Sequence, residues 1–213
     1  MVPDHRQAVA LGAEEVQLIG GEPTLHPGFV AIARHAVDSG LRVRVYSNLF
    51  RIRDEHWRLL EHPRVRLATT YHSSVAAEHD EVTGRPGSHE ATRANIVEAV
   101  RRGIAVKVAV LHAGDQACAE RARAELEAFG VRDVHVGRVR AVGNAAGTTL
   151  PSTAELCGRC GDRRATVLPG GDVAVCEIGR FLTAGNVQGA GLDSVCPARS
   201  GPRRARSSRG GRT

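Results

Sequence analysis

The feature that most constrains this chain is a repeated unit, a short apolar run followed by an amphipathic stretch that closes on glycine. Residues 4–12 place apolar side chains at helical spacing and end at Gly12; Glu15-Val16-Gln17-Leu18-Ile19 then forms an apolar run stopped by Gly20-Gly21. Val30, Ile32, Ala33, Ala36 and Val37 recur at helix period before Gly40, and Leu41 to Tyr46 alternates as a strand does. The pattern continues with a helix over 54–61, a strand over 65–70, a helix over 88–102 before Gly103, a strand over 105–111, a helix over 119–129 before Gly130, and a strand over 134–139. Strands separated by single helices need right-handed crossovers and a parallel sheet, either doubly wound or curled into a whole or partial barrel. In either architecture the chemistry gathers where strands end and helices begin.

Reading the residues after each strand gives Gly20-Gly21-Glu22-Pro23, Ser47-Asn48, Tyr71-His72-Ser73, His112, and the stretch from Arg140 to Gly143. Gly20-Gly21 removes two side chains where the backbone turns, so that a ligand can approach closely, and Glu22 sets a carboxylate beside them. That suits a ligand bearing an ammonium group. The same residues also make a tight strand-to-helix turn with Glu22 facing solvent and Pro23 stiffening the loop. His72 and His112 face the same rim and are candidate substrate contacts, while the other histidines are scattered without metal-binding spacing. No nucleophile elbow, Walker loop or dinucleotide glycine motif comes after a strand, which argues against hydrolase, NTPase and dinucleotide-binding functions.

From Thr153 the texture changes. Cys157-Gly158-Arg159-Cys160 precedes two short alternating runs around Pro169-Gly170-Gly171-Asp172, a hairpin that ends in Cys176. Cysteines spaced like Cys157, Cys160 and Cys176, with Cys196 further on, point to metal in a reducing compartment, and thiolate softness does not separate zinc from an iron-sulfur cluster. Cys118, at a helix start, reads as a small buried hydrophobe.

Charge and composition limit the remaining options. The 213 residues carry a net charge of +6, but six of the 29 basic residues are arginines after Ser194, where there is no acid, so the body is electrically balanced. Aromatic residues make up only 3%, too few for a base-stacking platform, and nucleic acid is not expected as a partner. No apolar run reaches the roughly 20 residues of a membrane span, and the amino terminus has no apolar signal region. The chain reads as cytoplasmic.

Two groups of residues resemble a known family. Gly20-Gly21-Glu22-Pro23-Thr24-Leu25-His26-Pro27 after an apolar strand is similar to the Gly-Gly-Glu motif of radical S-adenosylmethionine (SAM) enzymes. Cys157-x2-Cys160, the Leu-Pro-Gly-Gly-Asp hairpin running into Cys176, and Ala184-Gly185-Asn186-Val187 resemble the auxiliary-cluster extension called SPASM or twitch. The resemblance implies an α/β fold, a partial (β/α)6 barrel of parallel strands lacking its first strand, with a small cysteine-containing hairpin extension. Residues 1–150 would be the barrel, 151–193 the auxiliary module and 194–213 a disordered Arg-rich tail.

It also implies a chemistry. A 4Fe-4S cluster would reductively cleave SAM, and the resulting radical would abstract hydrogen from a substrate, a ribosomal peptide or a small molecule, with a ferredoxin or flavodoxin as reductant. Gly20, Gly21 and Glu22 would hold the methionine amino group, Pro23 would shape the loop, Ser47 and Asn48 would lie near the ribose, and Thr70 would offer a hydroxyl. Leu49 stands where glycine is common. Cys157, Cys160 and Cys176, with Cys196 the weakest match, would ligate the auxiliary cluster.

The family's Cys-x3-Cys-x2-Cys loop would precede the first helix, inside which this chain begins, and none of the five cysteines has that spacing. Both ends therefore read as truncations, which predicts a chain that does not cleave SAM by itself and an open sheet edge prone to aggregation. A binding module without chemistry and a zinc-stabilised interaction protein are the competing readings.

Overall fold

The computed structural model describes residues 5–196. After helix α1 (His5–Ala10), five strands alternate with helices: β1 (Glu15–Leu18), α2 (Phe29–Asp38), β2 (Arg42–Tyr46), α3 (Asp54–Leu60), β3 (Val65–Tyr71), α4 (Ala76–Thr83), α5 (Ser88–Arg101), β4 (Val106–His112), α6 (Gln116–Ala128) and β5 (Asp133–Arg138). The five strands form one parallel sheet in sequential order, β1-β2-β3-β4-β5. Sequential order decides between the two expected architectures. Right-handed crossovers that never reverse direction place every helix on the same face, as in a barrel, whereas a doubly wound sheet needs a reversal point.

The two sheet faces differ accordingly. Val43, Val45, Leu67, Tyr71, Val106, Val108 and Val110 are buried beneath the helices. They meet Phe29, Ala33 and Ala36 of α2, Ile96 and Ala99 of α5, and Ala119, Ala122 and Leu126 of α6 in one apolar cluster. Residues of opposite parity, Arg44, Tyr46, Arg66, Thr70 and Lys107, belong to the other face and are more accessible. That face is charged: Arg44 Nε lies 3.0 Å from Glu15 Oε1, and Lys107 Nζ lies 3.3 Å from Asp133 Oδ1. Helix ends are set by glycine where the chain must reverse, as at Gly103 (φ 71°) and Gly130 (φ 91°).

The second unit is a small antiparallel sheet of β6 (Thr166–Val167), β7 (Asp172–Ala174) and β8 (Thr183–Asn186), succeeded by α7 (Val187–Val195). The expected hairpin is there, turning where the Gly171 N–H donates to the Leu168 carbonyl at 2.8 Å. Asn186 joins that turn to the start of α7. Its Oδ1 accepts the Gln188 N–H at 2.8 Å to cap the helix, and its Nδ2 donates to Gly170 O and Asp172 Oδ1, both at 2.9 Å. A tether back to the amino-terminal helix comes from Leu192, whose N–H donates to Gln7 Oε1 at 3.1 Å.

Three elements, α4, β8 and α7, have no counterpart in the expected pattern, and α7 carries ordered helix to Val195, past the expected start of the tail at Ser194. Residues 197–213, most of that tail, lie outside the described residues. Among the described residues no helix is long and apolar enough to cross a membrane.

Candidate functional site

The rim at the carboxyl ends of β1, β2 and β3 is built around one carboxylate. Glu22 caps a single turn of 3-10 helix at Pro23–Leu25; its Oε1 accepts the Thr24 N–H at 3.1 Å and the Thr24 hydroxyl at 2.7 Å. Its Oε2 accepts the backbone N–H of Asn48 at 2.7 Å. The loop after β1 is thus bound to the loop after β2, which corrects the alternative in which Glu22 merely faces solvent. Three donors occupy a group with about four acceptor positions, so one direction is left for a ligand. Gly20 and Gly21 are exposed, and a Cβ added at either would meet nothing within 4 Å. No packing inside the chain calls for glycine there, although Gly20 has a φ of 158° that side-chain-bearing residues rarely adopt; at Gly21 the missing side chain simply opens space on the rim.

The loop after β2 carries an unusual conformation. Leu49 is fully buried, yet its φ is 55°, in the left-handed region that costs a side-chain-bearing residue about 1–2 kcal/mol. The position where glycine is common in the resembling family is therefore the position where the backbone needs it. Ser47 Oγ accepts the Leu49 N–H at 3.1 Å, and Asn48 Oδ1 accepts the Phe50 N–H at 2.9 Å. From α5, Thr92 Oγ1 donates to the Asn48 carbonyl at 2.8 Å and Asn95 Nδ2 to the Leu49 carbonyl at 2.7 Å. Arg85 lies 3.5 Å over the Phe50 ring. Sequence reasoning misses Thr92, Asn95 and Arg85.

Thr70 is half-buried near the end of β3 and shares the helix-free face with Ala68, which pairs with Tyr46. Gly20, Gly21, Glu22, Pro23, Asn48 and Thr70 lie along the carboxyl ends of β1–β3, and Glu22 bonds directly to Asn48, whereas Ser47 is buried at 5% exposure with its hydroxyl taken up by the Leu49 N–H. His72 directly follows β3 and His112 ends the neighbouring β4; among the described residues their buried Nδ1 atoms have no hydrogen-bond partner, and burial lowers the His72 pKa. Behind β3, Tyr71 Oη lies 2.8 Å from His89 Nε2 and donates to Glu125 Oε2 at 2.9 Å, with burial and Glu125 raising its pKa. Cys118 is buried as expected but not apolar in its contacts: its thiol donates to Glu78 Oε2 at 3.1 Å.

The other cysteines are not gathered. Cys157 and Cys160 are exposed, Cys196 is half-buried at the end of α7, and Cys176 is buried with its sulfur accepting the Gly179 N–H at 3.2 Å. The Arg159 backbone N–H lowers the Cys157 pKa despite partial desolvation. Among the described residues, no three His, Cys, Asp or Glu side chains lie close enough to hold one metal ion. As placed, these cysteines do not fit an iron-sulfur cluster.

Comparison with known proteins gives a consistent answer. The family model of the radical SAM superfamily matches residues 5–116. A Methanosarcina barkeri protein named AdoMet-dependent heme synthase is 34% identical over 91 residues, which make up 42% of this chain and 26% of that protein. Among solved structures, Streptococcus suis SuiB bound to S-adenosylmethionine is similar with a TM-score of 0.70 at 10% identity, over 92% of this chain and 59% of that one. Native anSMEcpe with bound AdoMet has a TM-score of 0.66 at 12% identity, over 92% and 70% of the two chains. At such identities the likeness is one of fold. The chain spans about a quarter of the curated relative and 59% of the SuiB chain.

Proposed function

Because the chain belongs to the radical SAM superfamily, we propose that its β1–β3 rim binds S-adenosylmethionine in the service of peptide modification. The observation that carries the reading is the bond from Glu22 to the Asn48 amide beside the open Gly20-Gly21 turn, inside the segment that matches the family. Gly20 and Gly21 would let backbone groups approach the methionine end of the ligand, and Glu22 would face its ammonium with its remaining acceptor direction. Pro23, at the first position of the 3-10 turn, fixes the loop's φ and keeps Glu22 in place. Asn48 and Thr70 would meet the sugar end with amide and hydroxyl groups, while Ser47, buried with its hydroxyl accepting the Leu49 N–H, would hold the loop beneath them. When bound, S-adenosylmethionine supplies the adenosyl group that the superfamily's reactions draw on.

Family membership also implies a 4Fe-4S cluster. The described residues supply no matching ligand set, so the reductive step is not assigned to any of them. A peptide substrate is favoured by the structural relatives, since SuiB was solved with its precursor peptide SuiA and anSMEcpe with AdoMet and the Kp18Cys peptide. The 34% identical relative favours a second reading, in which the substrate is a haem precursor. Both share the nucleoside ligand. Calorimetric titration of the purified chain with SAM and, separately, with ATP is the test: saturable SAM binding with no response to ATP is expected, and equal binding of both would remove the reading.

A further inference from the structure

The bend at Ser47-Asn48-Leu49 is held from two sides, by Glu22 on the rim and by α5 in the helical layer. The Asn48 and Leu49 carbonyls both point into α5, where they accept from the Thr92 hydroxyl at 2.8 Å and the Asn95 amide at 2.7 Å. Thr92 is 2% exposed, so its hydroxyl is committed to this contact, and it lies 44 residues from its partner in sequence. The Asn48 side chain is fixed as well: because Oδ1 accepts the Phe50 N–H, the amide is oriented with Nδ2 outward on an exposed residue. The loop therefore has its acceptors turned inward and a donor turned out.

We infer that Thr92 and Asn95 are positioning residues for the rim, and that through them Asn48 Nδ2 becomes the specificity-determining donor toward an oxygen or ring-nitrogen acceptor of the bound nucleoside. This rests on the SAM reading above. The left-handed backbone at Leu49 explains why two further contacts are needed: a leucine does not hold φ 55° by its own preference, so the bend depends on the groups that grip its carbonyls. Loss of either grip lets the bend relax and swings Asn48 away from its donor orientation.

The test uses the full chain with SAM as the probe, read by calorimetry and by hydrogen exchange over residues 47–50. Thr92→Val, which keeps the shape and removes the hydroxyl, is expected to weaken SAM binding about tenfold and to speed exchange over 47–50, while β3 and β4 stay protected. Thr92→Ser restores the hydroxyl and is expected to bind within about twofold of the parent. Asn95→Ala is the second variant and should act like Thr92→Val, while Asn48→Asp, which replaces the donor with an acceptor, should weaken binding at least tenfold with unchanged exchange at Phe50. Parent-like binding by Thr92→Val and Asn95→Ala, or equal losses in Thr92→Val and Thr92→Ser, would overturn the inference. Should the parent chain itself bind no SAM, the nucleoside reading fails, while faster exchange over 47–50 in Thr92→Val would still support the grip.

Discussion

Replacing Glu22 with alanine is expected to weaken SAM binding more than tenfold and to lower stability by about 2 kcal/mol. The carboxylate receives three donors, from the Thr24 amide, the Thr24 hydroxyl and the Asn48 amide. A hydrogen bond to a charged acceptor contributes roughly 1.5–3 kcal/mol where it is shielded, and because water can replace the carboxylate at the exposed Asn48 amide, the net loss is that of about one such bond. Thr24 is only 3% exposed, so water cannot readily replace Glu22 at its hydroxyl. Glu22→Gln keeps one oxygen acceptor and turns an NH2 toward the remaining donors, so it should fall between the parent and alanine. Urea unfolding and SAM calorimetry on the three proteins check both parts. A Glu22→Ala chain of parental stability would mean that the two loops are held together by something else.

Acid should unfold this protein early, because a histidine is buried where it cannot carry charge. His79 of α4 is 1% exposed and packs beside Tyr71 of β3, His89 of α5 and His72 at rings 5.3–5.6 Å away. Burial, then repulsion from His72 and His89, lowers its pKa from 6.5 to about 4, with Asp80 opposing. The unfolded chain takes up this proton near pH 6.5 and the folded chain only near pH 4. Stability is therefore complete above pH 6.5 and is lost as pH falls toward 4, by about 3 kcal/mol for this group alone. His72 and His56, whose pKa values are also lowered by burial, add loss of the same sign. Unfolding in urea at pH 7.5 and pH 5 should show the fall, and His79→Leu should remove a large part of it. A variant with the parent's full pH slope would assign the effect to other groups.

The same buried histidine explains what the sequence concealed. α4 reads Ala-Ala-Glu-His-Asp-Glu-Val-Thr, and its one buried residue is His79, so no apolar stripe marks it as a helix. β8, Thr183–Asn186, is exposed at all four positions and has no apolar alternation, and α7 holds two glycines, with Gly191 at φ 72° inside it. The parallel strands are legible because each buries an alternating apolar set on the helical face, as Val43 and Val45 or Val106, Val108 and Val110 do. Within the site, Gly20-Gly21-Glu22 can be read because three special residue types sit together after a strand. Thr92 and Asn95 cannot, since each acts on a backbone carbonyl more than 40 residues away, a contact that leaves no pattern in the chain. One sign is visible: Leu49 standing where glycine is common points to a backbone position needing help. The grouping of Cys157, Cys160 and Cys176 rests on their spacing and on the resemblance to an auxiliary-cluster extension, and the structure places no three such ligands together among its described residues.

The central claim, that the β1–β3 rim holds S-adenosylmethionine, is tested most directly by mapping amide chemical shifts of the 15N-labelled chain during a SAM titration. Saturable shifts are predicted at Gly20, Gly21, Glu22, Asn48 and Thr70, with β5 and α7 unmoved. Shifts confined to other parts of the chain, or none up to about 1 mM, where binding would be worth only about 4 kcal/mol, would contradict it.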